Sequence, residues 1–453
     1  MMRTPACLLA AAAVFAACHS YRPAPIDLAA HAAEFLRRES TLGETTDGQM
    51  QAIDQRGPID LADGIDRHEG RSLARSLHPE CRLARAALAA ALVEEGHAGV
   101  LEDPELSLDA LRILESVPHR WIAGGGLSFT VPWSGRLGKA RAVASARSVA
   151  ALHAAVMTEQ HATHAVDAAW VRWTGALQRT ARLTEVCDHL RDLVTIADRL
   201  AAADALTRQG ARVFTLELRQ REHELAAQQD ATARAELALL QQLGLHPTAK
   251  PRLLPDLALT PREPADRRVA LLASTPRVDA ALRSHSIADA ELQLEVRKQW
   301  PDLQLGPRYE RDEGQPRLGL GLSLPLPFFA GNDAAIARAE AARASAATAV
   351  YGAFEAATHD LTAAESHLAQ AEARLQHVRT VLLPLAEAQL ADGRAFASQG
   401  QLEPLLLLDA IARVHAARLL ELDACVEIAL ATITIDECTG IVLPTDEPTG
   451  EPR

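Results

Sequence analysis

Leu318-Gly319-Leu320-Gly321-Leu322-Ser323-Leu324 alternates with a period of two. One set of positions is all leucine and the other is glycine and serine, which is the pattern of a β-strand with one apolar face. Leu127, Phe129 and Val131 alternate likewise, as do Leu106 with Leu108 and Leu303 with Leu305. The pattern predicts four strands of about 9–11 residues each, a length that suits a membrane-spanning β-strand. Arg311-Asp312-Glu313-Gly314 reads as a polar turn between the last two. An ordinary hairpin on a soluble core is the other reading. Glycine and serine would pack poorly against such a core, whereas facing a water-filled lumen they cost nothing.

Between the strands the period changes. Residues 134–206 contain no proline and little glycine, with Ala, Arg and Leu recurring at helical spacing. A second run covers 210–243. A third covers 332–382, with a break expected at Pro384, and a fourth covers 404–435. Some 70 helical residues reach about 100 Å, longer than a compact domain, so paired coiled-coil helices are predicted. Asn332 or Asp333 is the expected N-cap of the third run. Pro132, Pro325 and Pro327 stand where strand gives way to helix.

The two halves repeat. Pro79 and Pro276 are 197 positions apart, as are Pro104 and Pro301 (276 − 79 and 301 − 104). Gly126-Leu127-Ser128-Phe129-Thr130-Val131-Pro132 resembles Gly321-Leu322-Ser323-Leu324-Pro325-Leu326-Pro327. Gly135 and Gly331 then precede Ala-rich runs at nearly the same offset. Each half therefore reads helix, strand, strand, long helix, turn, long helix. The predicted organisation is a signal segment (1–17), an N-terminal tether (18–70), a first repeat (71–245), a linker with short helical pieces (246–274), a second repeat (275–440) and a disordered tail (441–453).

Composition narrows the class. The chain of 453 residues is 48% hydrophobic but only 4% aromatic, and its net charge is −13. No basic stripe is present, so no nucleic-acid partner is expected. Arg3 followed by the apolar run 6–17 reads as an export signal. It ends in Phe15-Ala16-Ala17-Cys18, which resembles a bacterial lipobox with Cys18 as the lipid-attachment site, although Phe15 stands where Leu or Val is usual. Plain cleavage after Ala17 is the other reading. Tyr21, Pro23 and Pro25 give an extended stretch, as a tether needs. No later segment reaches the roughly 18 apolar residues of a spanning helix. Cys7 leaves with the signal. Cys81, Cys187, Cys425 and Cys438 have no CxxC spacing, so no zinc is expected; an oxidising periplasm permits disulfides, but no pairing follows from the sequence.

If the strands cross a membrane, geometry forces a further conclusion. Four strands cannot close a barrel, and open strand edges cannot lie in lipid with unpaired N–H and C=O groups. Several chains must then share one barrel.

With the lipobox at Cys18, the stretches Asp103-Pro104-Glu105-Leu106-Ser107-Leu108 and Trp300-Pro301-Asp302-Leu303, residues 319–329 and Gly331-Asn332-Asp333, the chain resembles the TolC-like outer-membrane efflux proteins. Two tip motifs add to the likeness: Arg208-Gln209-Gly210 followed by Leu216-Glu217-Leu218, and Ser398-Gln399-Gly400 followed by Leu405 and then Asp409-Ala410. The likeness covers roughly residues 70–440 and is nearest to the lipoprotein members paired with heavy-metal or drug pumps.

The resemblance implies an α+β membrane protein with an internal two-fold repeat. It implies a homotrimer whose chains each give four transmembrane β-strands to a shared twelve-stranded β-barrel, with a long α-helical coiled-coil periplasmic tunnel below. It implies an outer-membrane exit duct, lipid-anchored and extending into the periplasm, that docks a periplasmic adaptor and an inner-membrane pump of the resistance-nodulation-division type. Gly210 and Gly400 would be the helix-tip contacts to the adaptor. Asp409 and Glu217 would form an acidic periplasmic gate, with Leu406 standing where some members carry another acid. A solvated helix face is the plainer reading of both acids.

No catalytic constellation, cofactor or metal site is expected. His153, His161 and His164 share one predicted helix and read as a solvated face. Gly124-Gly125-Gly126 precedes a strand and is no phosphate loop. A structural or adaptor coiled-coil lipoprotein of the periplasm would share the anchor and helices but leaves the Leu/Gly alternation unexplained. A periplasmic enzyme lacks its catalytic residues. The transported substrate is not legible.

Overall fold

The computed structural model describes residues 21–41, 64–114, 121–257, 275–312, 315–327, 331–398 and 404–440. The signal segment, Cys7, Cys18, Glu313-Gly314, the linker beyond residue 257, Gly400 and the tail lie outside them. In chain order the elements are α1 (Leu28–Arg37), a short 3-10 turn (Glu39–Thr41), α2 (Arg67–Leu77), α3 (Pro79–His97), β1 (Glu105–Arg112), β2 (Trp121–Val131), α4 (Arg136–Ala202) and α5 (Arg208–Gln242). The second half follows with α6 (Pro276–Lys298), β3 (Leu303–Asp312), β4 (Gln315–Ser323), α7 (Asp333–His377), a π turn (Val378–Leu382), α8 (Leu383–Ser398) and α9 (Pro404–Thr439). At 67 residues α4 is about 100 Å long. The helix–strand–strand–helix–helix order of the first half recurs in the second.

The repeat is finer than the sequence comparison implied. Gly135 caps α4 at φ 76° and Asn332 caps α7 at φ 68°. These two residues, not Gly135 and Gly331, are separated by the same 197 positions as the proline pairs (332 − 135). Both need the left-handed backbone that glycine adopts freely and asparagine tolerates. The Asn332 side chain does not cap its own helix. Its amide donates to the backbone oxygen and the carboxylate of Glu295, each at 2.9 Å.

Three further expectations change. Helix does not stop at Pro384. The π turn just upstream accommodates the missing N–H, and α7 continues into α8. Residues 246–257 carry no helix, because Pro247, Pro251 and Pro255 remove donors at every turn. They lie against the first half instead, with Ala249 buried and Ile65 bridged to Leu253. The tether segment is helical over Leu28–Arg37, with Asp27 accepting from the Ala30 N–H at 2.9 Å. It is also pinned: Arg38 donates to the Gly244 carbonyl at 3.0 Å, and Phe35 stacks edge-on to His246 at 5.0 Å.

The core is spread along the helices. Trp170 is fully buried on α4, edge-on to Trp173, among Leu73 of α2 and Leu239, Leu240 and Leu243 at the end of α5. Its indole N–H donates to the Leu254 carbonyl at 3.0 Å. Asp167, one helical turn away, is buried and accepts from Arg71 at 2.7 Å. Ala429 and Ile433 of α9 meet Val171 of α4 across the halves, and Ala357, Leu361 and Ala364 of α7 meet Val278 and Ile435 within the second half. The alanine richness of the sequence thus becomes close helix approach.

Candidate functional site

The four strands form one antiparallel sheet in the order β1-β2-β3-β4. Each half contributes a hairpin, and β2 pairs with β3 across the halves, from Ala123↔Arg311 to Val131↔Leu303. Among the described residues nothing pairs with the outer edges of β1 and β4.

The register sorts the side chains. One face carries Leu106, Leu108, Leu127, Phe129, Val131, Leu303, Leu305, Tyr309, Leu318, Leu320 and Leu322. The other carries Glu105, Ser107, Asp109, Gly124, Gly126, Thr130, Gln304, Arg308, Glu310, Arg317 and Ser323. Side-chain positions agree. Arg308 lies 3.8 Å from Asp109 across the glycines of β2, and a Cβ on Gly125 would touch Leu108. Among the described residues nothing covers the apolar face: Leu108 is 77% exposed and Leu318 81%. A sheet that shows leucine on one side and glycine with charge on the other, both open, is built to separate lipid from water.

Aromatic residues mark the two ends. At the helix end Trp133 and Trp300 meet edge-on at 6.0 Å, and the Trp133 indole donates to the Pro301 carbonyl at 2.7 Å. At the far end Trp121 lies under the Arg112 guanidinium. The 11 residues of β2 span about 35 Å along the strand, or about 25 Å of height at a barrel tilt near 45°. That height matches the apolar band of an outer-membrane barrel.

Below the sheet, Arg136 at the start of α4 pairs with Glu102 at 2.8 Å and Asp302 at 2.6 Å. It ties the chain entering β1 to the chain entering β3.

At the opposite end the first turns of α9 pack against α4 and α5. Leu408 of α9 packs among Cys187, Leu190, Phe214 and Leu218 of α4 and α5. Gly210 lies in the first turn of α5, where its N–H is capped by the Thr207 hydroxyl at 3.1 Å. The Asp409 side chain is about half exposed and accepts from Arg413 at 2.7 Å. That hydrogen bond holds its carboxyl below the ordinary range, so it stays ionised at neutral pH. Glu217 is largely buried and accepts from Arg221 at 2.8 Å. Each acid therefore has an arginine four residues on.

The histidines depart from the expected solvated face. His153 lies 2.8 Å from Asp279 of α6, His161 lies 2.7 Å from Glu437 of α9, and burial lowers the pKa of His164. Only His161 is well exposed. Among the described residues no group of three or more His, Cys, Asp or Glu side chains is placed to hold a metal ion. Cys81, Cys187, Cys425 and Cys438 are free thiols.

No protein-family model matches the chain, and no curated protein matches it in sequence. Solved structures do match in three dimensions. The outer membrane protein VceC of Vibrio cholerae superposes with a TM-score of 0.70, covering 83% of this chain and 96% of that one at 17% identity. A membrane protein from Pseudomonas aeruginosa gives 0.69, with 84% and 92% covered at 18% identity. The Campylobacter jejuni CmeC outer membrane channel gives 0.68, with 93% of each chain covered at 12% identity. The chain has the TolC-like outer-membrane channel fold. At these identities the likeness is one of fold, and it extends over the sheet, the helices and the repeat together.

Within the TolC-like fold, sequence reasoning missed Arg136, whose partners lie 34 and 166 positions away (136 − 102 and 302 − 136). It also missed the arginines beside the tip acids, although Glu217/Arg221 and Asp409/Arg413 stand at a four-residue spacing that a helix brings into contact.

Proposed function

We propose that the chain is the outer-membrane exit duct of a tripartite efflux system, working as a homotrimer. The observation that carries this is the four-stranded sheet with one apolar face, one polar face and two open edges. In lipid such edges must be paired, and β4 of one chain has only β1 of the next to meet. Three chains would close twelve strands around a polar lumen, with the helices continuing as a periplasmic tunnel. The fold relatives named as outer-membrane channels support the same reading. Cys18 is proposed to carry the lipid anchor, and the tips at Gly210 and Gly400 to meet a periplasmic adaptor that links the duct to an inner-membrane pump. A passive conduit leaves the choice of cargo to the pump.

The duct is tested with protein extracted from outer membranes. A heat-sensitive three-chain species that forms ion-conducting channels in planar bilayers is expected. A soluble, non-conducting single chain after removal of the signal would instead support a periplasmic stalk.

The acidic tip is proposed as a cation-selective gate. Because Asp409 is ionised and more open to solvent than Glu217, it carries most of the effect. Asp409→Asn should lower cation over anion permeability by roughly twofold or more at low salt, where screening is weakest, and Glu217→Gln by less. Unchanged selectivity in the double variant would remove both residues from the gate.

A further inference from the structure

The apolar face of the sheet is not uniformly apolar. At its far end, away from Trp133 and Trp300, the register brings Arg112, paired with Trp121, and Arg311, paired with Ala123, onto the same side as the leucines. Both arginines are exposed. The Arg112 guanidinium lies 5.9 Å from the centroid of the Trp121 ring, which fixes its side of the sheet independently. No carboxylate of the described residues lies on that face; Asp109 and Glu310 are on the opposite one. On the polar face Arg308 lies 3.8 Å from Asp109.

An arginine on the lipid side of a barrel costs about 2–4 kcal/mol at the bilayer midplane and about 0–1 kcal/mol near the interface. Their place therefore matters. Trp121 and Val131 bound a stretch of about 25 Å in height, so Arg112 and Arg311 sit at the level of the outer headgroups while their stems and Trp121 lie against acyl chains. The two Cα positions are two strands and two residues apart, about 12 Å, which lets both guanidiniums converge on one headgroup. Guanidinium binds phosphate in a planar, bidentate way that ammonium does not match.

From this we propose that Arg112, Trp121 and Arg311 form a lipid site on the outer rim of the barrel, which takes the phosphate headgroup of an anionic lipid in the outer leaflet. The site rests on the reading of the sheet as a membrane barrel. In each copy the two guanidiniums grip the phosphate, and the indole orients Arg112 and packs on the first acyl carbons.

The experiment uses the full-length protein reconstituted in nanodiscs of equal parts phosphatidylglycerol and phosphatidylcholine with identical acyl chains. Lipids retained on the protein after mild detergent extraction are counted by native mass spectrometry. Wild type should retain phosphatidylglycerol in preference. Each basic residue near an anionic surface contributes about fivefold, so the Arg112→Gln/Arg311→Gln variant should lose most of a preference of about 25-fold. Arg308→Gln, on the polar face, should keep it. A double variant that inserts and conducts normally with an unchanged preference overturns the lipid site while leaving the duct intact. Equal loss in Arg308→Gln also overturns it, because the preference then reflects total charge. Failure of the wild type to enter nanodiscs would bring down the barrel reading and the site with it.

Discussion

At Gly306 a Cβ would stand 1.7 Å from the carbonyl oxygen of Leu127, on the neighbouring strand. That oxygen belongs to backbone, so no rotamer change relieves the clash. Overpacking of this kind costs about 1–3 kcal/mol even where side chains can move. Gly306→Ala should therefore break the β2–β3 pairing and sharply lower the yield of heat-sensitive oligomer in outer-membrane extracts. At Gly319 nothing lies within 4 Å of the added carbon, so Gly319→Ala should assemble like wild type. Equal yields from the two variants would show that the strands can shift apart at Gly306. The sequence supplies the glycine at this position but not its reason, because Leu127 lies in the other half of the chain.

At the scale of the element, α9 and α4 each carry a histidine that makes packing sensitive to acid. His415 is only 6% exposed and lines a cavity of about 530 Å³ between α4 and the α8–α9 hairpin. Burial lowers its pKa from the ordinary 6.5, and Arg221 and Arg179 lower it further against the pull of Glu224 and Glu185. His164 is lowered by burial too. A lowered folded pKa means that the unfolded chain takes up protons first. The neutral histidines therefore contribute their full stability above about pH 6.5, and it is lost as the pH falls from there toward the folded value. Thermal melting should accordingly drop between pH 7.5 and 5.5. His415→Gln and His164→Gln should each flatten that drop, whatever they do to the melting temperature at pH 7.5. An unchanged slope in both variants would place the acid sensitivity elsewhere.

For the molecule as a whole, legibility followed the range of the interaction. The strands were readable because a leucine every second residue is a local signal, and the helices because proline is absent from 136–202. The repeat was readable because 197 positions separate matching prolines. Pro384 misled because the rule that breaks helices there is local, whereas α7 and α8 are held in line by packing against α9: Leu361 and Ala364 reach Ile435, and Ala386 reaches Val414 and Ala417. The α1 helix was missed because its anchors, Gly244 and His246, lie about two hundred positions downstream. Glu217 and Asp409 each have an arginine partner that the sequence reading did not weigh, and these ion pairs soften the field expected at the proposed gate.

The pairing of β2 with β3 has a consequence for ancestry. It joins two similar hairpins side by side within one polypeptide, in the same antiparallel manner in which β4 of one chain would meet β1 of the next. A half-length ancestor carrying a single hairpin could have built the same ring from six identical copies. Gene duplication and fusion would then have turned every second contact between separate molecules into a contact within one. After fusion the two halves were free to diverge, so that only one of them now places Arg136 beneath the sheet and only one needs asparagine where the other keeps glycine.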